Sequence, residues 1–158
     1  MVASTEMETM LRLLPIALLL CFGLLGCKSA KPADLTGTWV VADQSRQRFL
    51  PASQRNAAAK IVLDANGTFV ASEIPEDLLY GPPEVADRLV TGNGAWKLVS
   101  REGRQQIDLL FNTITAGQRG KVPYGTMLNV SMGWSTTGLY YWQGGDADQG
   151  RRIEFEKK

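Results

Sequence analysis

Few side chains in this sequence could carry chemistry. The chain has 158 residues and no histidine. That excludes Ser-His-Asp and Cys-His nucleophile systems and His-ligated metals. Glu73, Glu76, Asp77 and Glu84 could supply a carboxylate pair for a hydrolase. No spacing selects two of them, and acids after Pro75 are equally what a helix start favours. Asp146-X-Asp148-X-Gly150 has the spacing of the first ligands of a calcium loop, but the twelfth position is Lys157, where such a loop needs a glutamate. A hairpin turn accounts for it more simply. The chain is therefore read as a non-enzyme, with no cofactor and no metal, and a carboxylate hydrolase as the competing case. The aromatic residues remain. Trp39 and Trp96 are expected in the core, and Trp134, Tyr140 and Trp142 are the candidate contacts for a ligand or partner.

The cysteines, Cys21 and Cys27, both lie near the N-terminus. From Leu13 to Gly26 every residue is apolar or small except Pro15. This run is shorter than the roughly 20 residues of a membrane-spanning helix and matches the apolar region of a secretory signal. Leu24-Leu25-Gly26-Cys27 resembles the lipobox of bacterial lipoproteins. The resemblance implies cleavage before Cys27, acylation of its sulfur, and anchoring in the cell envelope. Lys28 follows the cysteine, rather than the Asp of inner-membrane retention, which implies the outer membrane. Glu6 and Glu8 precede the run without any basic residue, whereas Met10-Leu11-Arg12 offers the positive start that signal peptides need. Met10 is therefore the expected start. The expected organisation is a signal peptide over 1–26, a lipidated Cys27 with a polar spacer to Asp34, and one domain over 35–158.

The formal net charge of +1 implies no polyanionic partner, so no nucleic acid. Without the leader the domain has no cysteine, and its stability must come from its core.

The elements that position these residues read as strands. Leu35–Ala42 is β-branched and aromatic, with Trp39 and Val41 on one face. Lys60–Leu63 and Thr68–Ala71 flank Asp64-Ala65-Asn66-Gly67, a hairpin whose Gly67 is expected in the left-handed region. A second hairpin pairs Ala95–Val99 with Gln106–Phe111 across Ser100–Arg104, placing Ile107, Leu109 and Phe111 on one face. Met127–Met132, Leu139–Trp142 and Arg151–Glu156 complete the set. Ile153 and Phe155 are expected inside. If Leu139 and Tyr141 face inward, Tyr140 and Trp142 form an exposed aromatic pair. Between strands, Asp43–Ala59 is a polar connection with Arg46, Arg48 and Arg55, and a helical turn over Pro51–Ala58; it is either a basic lid or a solvated link. Pro75–Tyr80 reads as a short helix, and Asn112–Tyr124 as a loop.

About eight strands joined mostly as hairpins predict an all-β, antiparallel up-and-down barrel with a short helical insert, which leaves no exposed sheet edge. Gly37-Thr38-Trp39 resembles the Gly-X-Trp motif of lipocalins, and Gly94-Ala95-Trp96 and Ile153-X-Phe155 resemble a pattern in small lipocalin-like lipoproteins. The resemblance implies a basic residue, Arg151 or Arg152, over Trp39, and a barrel that holds a small apolar ligand. The shorter length and missing disulfide depart from lipocalins. The alternative is a solid barrel whose loops dock another envelope protein. In either case the membrane is a partner through Cys27.

Overall fold

The computed structural model describes residues 29–76, 89–115, 122–133, 136–142 and 152–158. Eight antiparallel strands close into a barrel in sequence order. They are β1 (Gly37–Val41), β2 (Lys60–Leu63), β3 (Thr68–Pro75), β4 (Leu89–Arg101), β5 (Arg104–Thr115), β6 (Tyr124–Met132), β7 (Thr137–Trp142) and β8 (Arg152–Lys157). β1 pairs with β8 through Trp39–Lys157 and Val41–Phe155, which closes the wall. Among the described residues two short helices accompany them, α1 (Pro32–Leu35) before β1 and α2 (Asp43–Phe49) after it. The all-β, eight-stranded barrel expected from the strand rhythm is the observed fold.

Alternation decides which residues fill the interior. Trp39, Val41, Ile61, Leu63, Phe69, Ile107, Leu109, Phe111, Leu139, Ile153 and Phe155 are all buried in one cluster. The Phe69 and Phe111 rings meet edge to face at 4.8 Å between centroids. Phe111 also takes the space left by Gly92, where an added Cβ would lie 2.8 Å from its ring. Residues 89–94, ahead of the expected Ala95–Val99 strand, are thus part of β4; Gly92 hides the strand signal because the Phe111 ring takes its side chain's place, and Gly94 because it lies against the Leu110 backbone.

The two tryptophans expected in the core are there, and each ties down a chain reversal. Trp39 is fully buried, and its indole N–H donates to Leu35 O at 2.7 Å. Trp96 donates from its indole to Asp64 O at 2.9 Å, and its backbone N–H donates to Gly67 O at 2.7 Å, clamping the β2–β3 turn. In that turn Gly67 has φ +83°, as its sequence requires. The β4–β5 turn is tighter than Ser100–Arg104. Arg101 pairs with Arg104, and Glu102 and Gly103 both have positive φ, the geometry of a two-residue type I′ turn.

The structure corrects four local expectations. Residues 30–34 are not a free spacer. Ala30 is buried, and its N–H donates to Gln105 Oε1 (2.6 Å) while Gln105 Nε2 donates to Ala30 O (2.9 Å). Leu35 is fully buried below them, and Lys157 Nζ donates to Asp34 O at 3.0 Å. In the connection after β1, the helix is α2 at Asp43–Phe49, ahead of Pro51–Ala58, which forms turns over residues 52–56. Pro75 ends β3, paired with Leu89, instead of starting a helix; the rest of that expected helix lies outside the described residues. The basic group over Trp39 is Lys157, 5.8 Å from the ring centroid, whereas Arg152 lies over Tyr140. Arg151 lies outside the described residues.

Candidate functional site

Tyr140 and Trp142 sit on the outer wall of β7, because Leu139 and Tyr141 on the same strand pack against the core. Their rings meet edge to face at 5.7 Å, so the pair read from the sequence is formed. The neighbouring strand extends it. Register places Tyr140 opposite Glu154 and Trp142 opposite Arg152. Arg152 leans across, with its guanidinium carbon 4.0 Å from the Tyr140 centroid. A cation at that distance over a phenol ring is attracted by the ring's negative face. Arg152 Nε also lies 3.1 Å from Glu154 Oε1, but off the hydrogen-bonding direction, so the contact is an ion pair that leaves Nε without a hydrogen-bond partner.

Two shallow grooves meet at this pair. One, about 320 Å³, runs past Ser131, Met132, Thr136 and Gly138. Gly138 opens it, since a Cβ there would lie 2.6 Å from Ser131 Oγ. The other, about 170 Å³, lies between β8 and α2, lined by Gln44, Ser45, Arg48 and Phe49. β1 ends before β8 does, and α2 covers the backbone it leaves. Ala42 N–H donates to Glu154 O (2.8 Å), and Glu154 N–H donates to Ser45 Oγ (3.0 Å). The buried residue of α2 is therefore a serine that completes a strand edge. The wall offers an aromatic pair, a guanidinium over one ring, a second guanidinium at Arg48 and one carboxylate. That set suits a polar, partly aromatic contact surface.

A further groove of about 320 Å³ lies over β4, β5 and β6, beside exposed Leu110 and Met127 and the Arg101–Asp108 pair (2.8 Å).

The other sequence candidates do not join the β7–β8 site. Glu73 is exposed, and its carboxylate accepts the Ala58 N–H at 2.7 Å, pinning the β1–β2 connection to a bulge in β3. Glu76 is buried, with Oε1 unpartnered. Asp77, Glu84, Asp146, Asp148, Trp134 and Cys27 lie outside the described residues. Among the described residues no cluster of three acidic or thiol ligands could hold a metal ion, and no helix is long and apolar enough to cross a membrane. Sequence reading missed Arg152 as the partner of Tyr140. Its signal was available, because parity with Glu154 puts Arg152 outside whenever Ile153 is inside.

Comparisons of the chain with known protein families, with characterised proteins and with solved structures find no match.

Proposed function

We propose that this chain is an envelope lipoprotein, acylated at Cys27, whose lipocalin-like barrel serves as an interaction module for another envelope protein. The lipobox-like Leu24–Cys27 supports the anchor. The observation that carries the module is the contrast between inside and outside. The waist of the barrel is filled by Trp39, Phe69, Ile107, Leu109 and Phe111, all buried, while Tyr140, Trp142 and Arg152 gather on the outer wall beside two grooves. Interfaces draw their binding energy from such Trp, Tyr and Arg groups.

The competing reading, a small apolar ligand inside the barrel, has its own support. Tyr124, Val130 and Tyr141 pack against the core yet keep some exposure. One experiment separates the two. The lipidated protein is extracted from its own envelope and analysed by native mass spectrometry, as wild type and as Arg152→Ala. A protein partner bound to wild type and lost from the variant supports the module. A small molecule retained by both refutes it. For the anchor, a Cys27→Ser protein is expected in the soluble fraction, and its persistence in membranes would overturn the assignment.

A further inference from the structure

All strand connections of the barrel alternate between two ends. β1 begins at the end that also carries the connections 64–67, 102–103 and 133–136 and the chain's last residues. We propose that this near end is the membrane-facing surface of the protein, held against lipid headgroups by a leash of only Lys28 and Ser29. The inference rests on acylation of Cys27 and goes beyond it, since an anchor alone fixes no orientation.

Ala30 is locked to Gln105 by a reciprocal pair of hydrogen bonds. α1 follows it directly, with Leu35 buried and its carbonyl held by the Trp39 indole. Lys157, from the last strand, bonds to Asp34 O. The chain is thus fixed to the near end from Ala30 onward. Three fully extended residue steps separate Cys27 from Ala30, a reach of about 10 Å at most. An acylated Cys27 sits at the bilayer interface, so the near end cannot stand away from it.

The composition of that end fits its proposed partner. Lys31, Arg101, Arg104, Lys157 and Lys158 are exposed there, interspersed with Asp34, Asp64, Glu102 and Glu156. Both signs of charge suit a zwitterionic and phosphate-rich headgroup layer, and among the described residues of this end no exposed cluster of large apolar side chains suits hydrocarbon. The barrel would rest on the membrane without entering it. β5 spans residues 104–115 from the near end to the far end. At about 3.4 Å per residue and a usual barrel tilt, the far end stands roughly 30 Å further out.

The test uses the full-length, lipidated protein in vesicles of phosphatidylethanolamine and phosphatidylglycerol. Wild type is compared with a variant carrying about ten Gly/Ser residues between Lys28 and Ser29, which adds roughly 18 Å of mean reach. Flotation first establishes the anchor. A membrane-impermeant amine reagent then labels lysines, read by mass spectrometry. Labelling of Lys31 and Lys157 should be severalfold lower in wild type than in the long-leash variant, while Lys60, at the other end of β2, labels equally in both. Equal labelling of Lys31 and Lys157 in the two proteins, or protection of Lys60, overturns the orientation. Failure of wild type to float overturns the anchor itself, and the orientation with it.

Discussion

Gln105→Ala should release the chain ahead of α1 while leaving the barrel folded. Gln105 supplies two hydrogen bonds to Ala30, at 2.6 and 2.9 Å. A net hydrogen bond contributes about 1 kcal/mol, so their joint loss costs about 2 kcal/mol. What lies below them is independent. Leu35 stays buried, which contributes about 2 kcal/mol by area, and the Trp39–Leu35 and Lys157–Asp34 bonds remain. Opening is therefore confined to the stretch around Lys31. Native-state hydrogen exchange reads it at the Asp34 amide, which donates to Lys31 O at 2.9 Å. A loss of about 2 kcal/mol against local opening speeds that amide's exchange about 30-fold. Amides of the β4–β5 pairing should change only through any loss of global stability. Gln105→Glu keeps an acceptor for the Ala30 N–H but loses the donor to Ala30 O, so its effect should fall between the two. Exchange at Asp34 unchanged within about twofold in Gln105→Ala would refute the reasoning, because α1 would then be held without the Ala30 bridge.

Four further outcomes follow from the packing. Trp39→Phe removes the indole donor to Leu35 O and leaves a void at a fully buried site, so chemical denaturation should show a loss of about 2–3 kcal/mol. Gly94→Ala would place a Cβ 1.9 Å from Leu110 O on β5, which no rotamer can relieve; a loss of at least about 3 kcal/mol is expected. Gly103→Ala meets nothing within 4 Å, so its positive φ alone should cost about 1 kcal/mol. Burial raises the Tyr124 phenol above its ordinary 10.0. The unfolded chain then loses that proton first, so stability should fall as pH rises through 10, and Tyr124→Phe should flatten the fall in urea midpoints.

The strands were legible because one barrel face is wet and the other dry. Period two alone assigned Trp39 with Val41, Ile107 with Leu109 and Phe111, and Ile153 with Phe155. The same parity, carried one step further, places Lys157 with Ile153 and Phe155, and Lys157 is the cation found over Trp39. The lipocalin resemblance pointed to the arginines instead. Both helices escaped for a different reason. α1 is a four-residue turn, too short for any periodic signal, and the residue that fixes the chain ahead of it, Ala30, is held by Gln105, 75 residues away. α2 buries a serine where an amphipathic helix would bury an apolar stripe. Its position follows from the unpaired edge of β8, a feature visible only once the register of β1 is known.

That register also gives the connection lengths a meaning. An up-and-down barrel with an even number of strands sends its first, third, fifth and seventh connections to the end opposite its N-terminus. Those are residues 42–59, 76–88, 116–123 and 143–151, whereas the near-end connections are the short 64–67, 102–103 and 133–136. The near-end turns are held by tight geometry, with Gly67 and Gly103 at positive φ and Trp96 bonded across the first of them. Of the far-end connections, 42–59 carries α2, and α2 lines one of the two grooves beside Arg152. Connection length is therefore segregated by topology. A chain that docks residues 30–35 at one end leaves the other end, and the β7–β8 wall leading to it, as the surface on which sequence can vary without disturbing the core. On the proposed orientation, a partner that binds there is reached by a protein standing upright on its membrane. On this reasoning Arg152→Ala weakens partner binding, while thermal stability changes by under about 1 kcal/mol, because the Arg152–Glu154 pair is about half exposed to solvent. A large loss of stability in that variant would mean that the Arg152–Tyr140 contact is part of the fold and not a recognition surface.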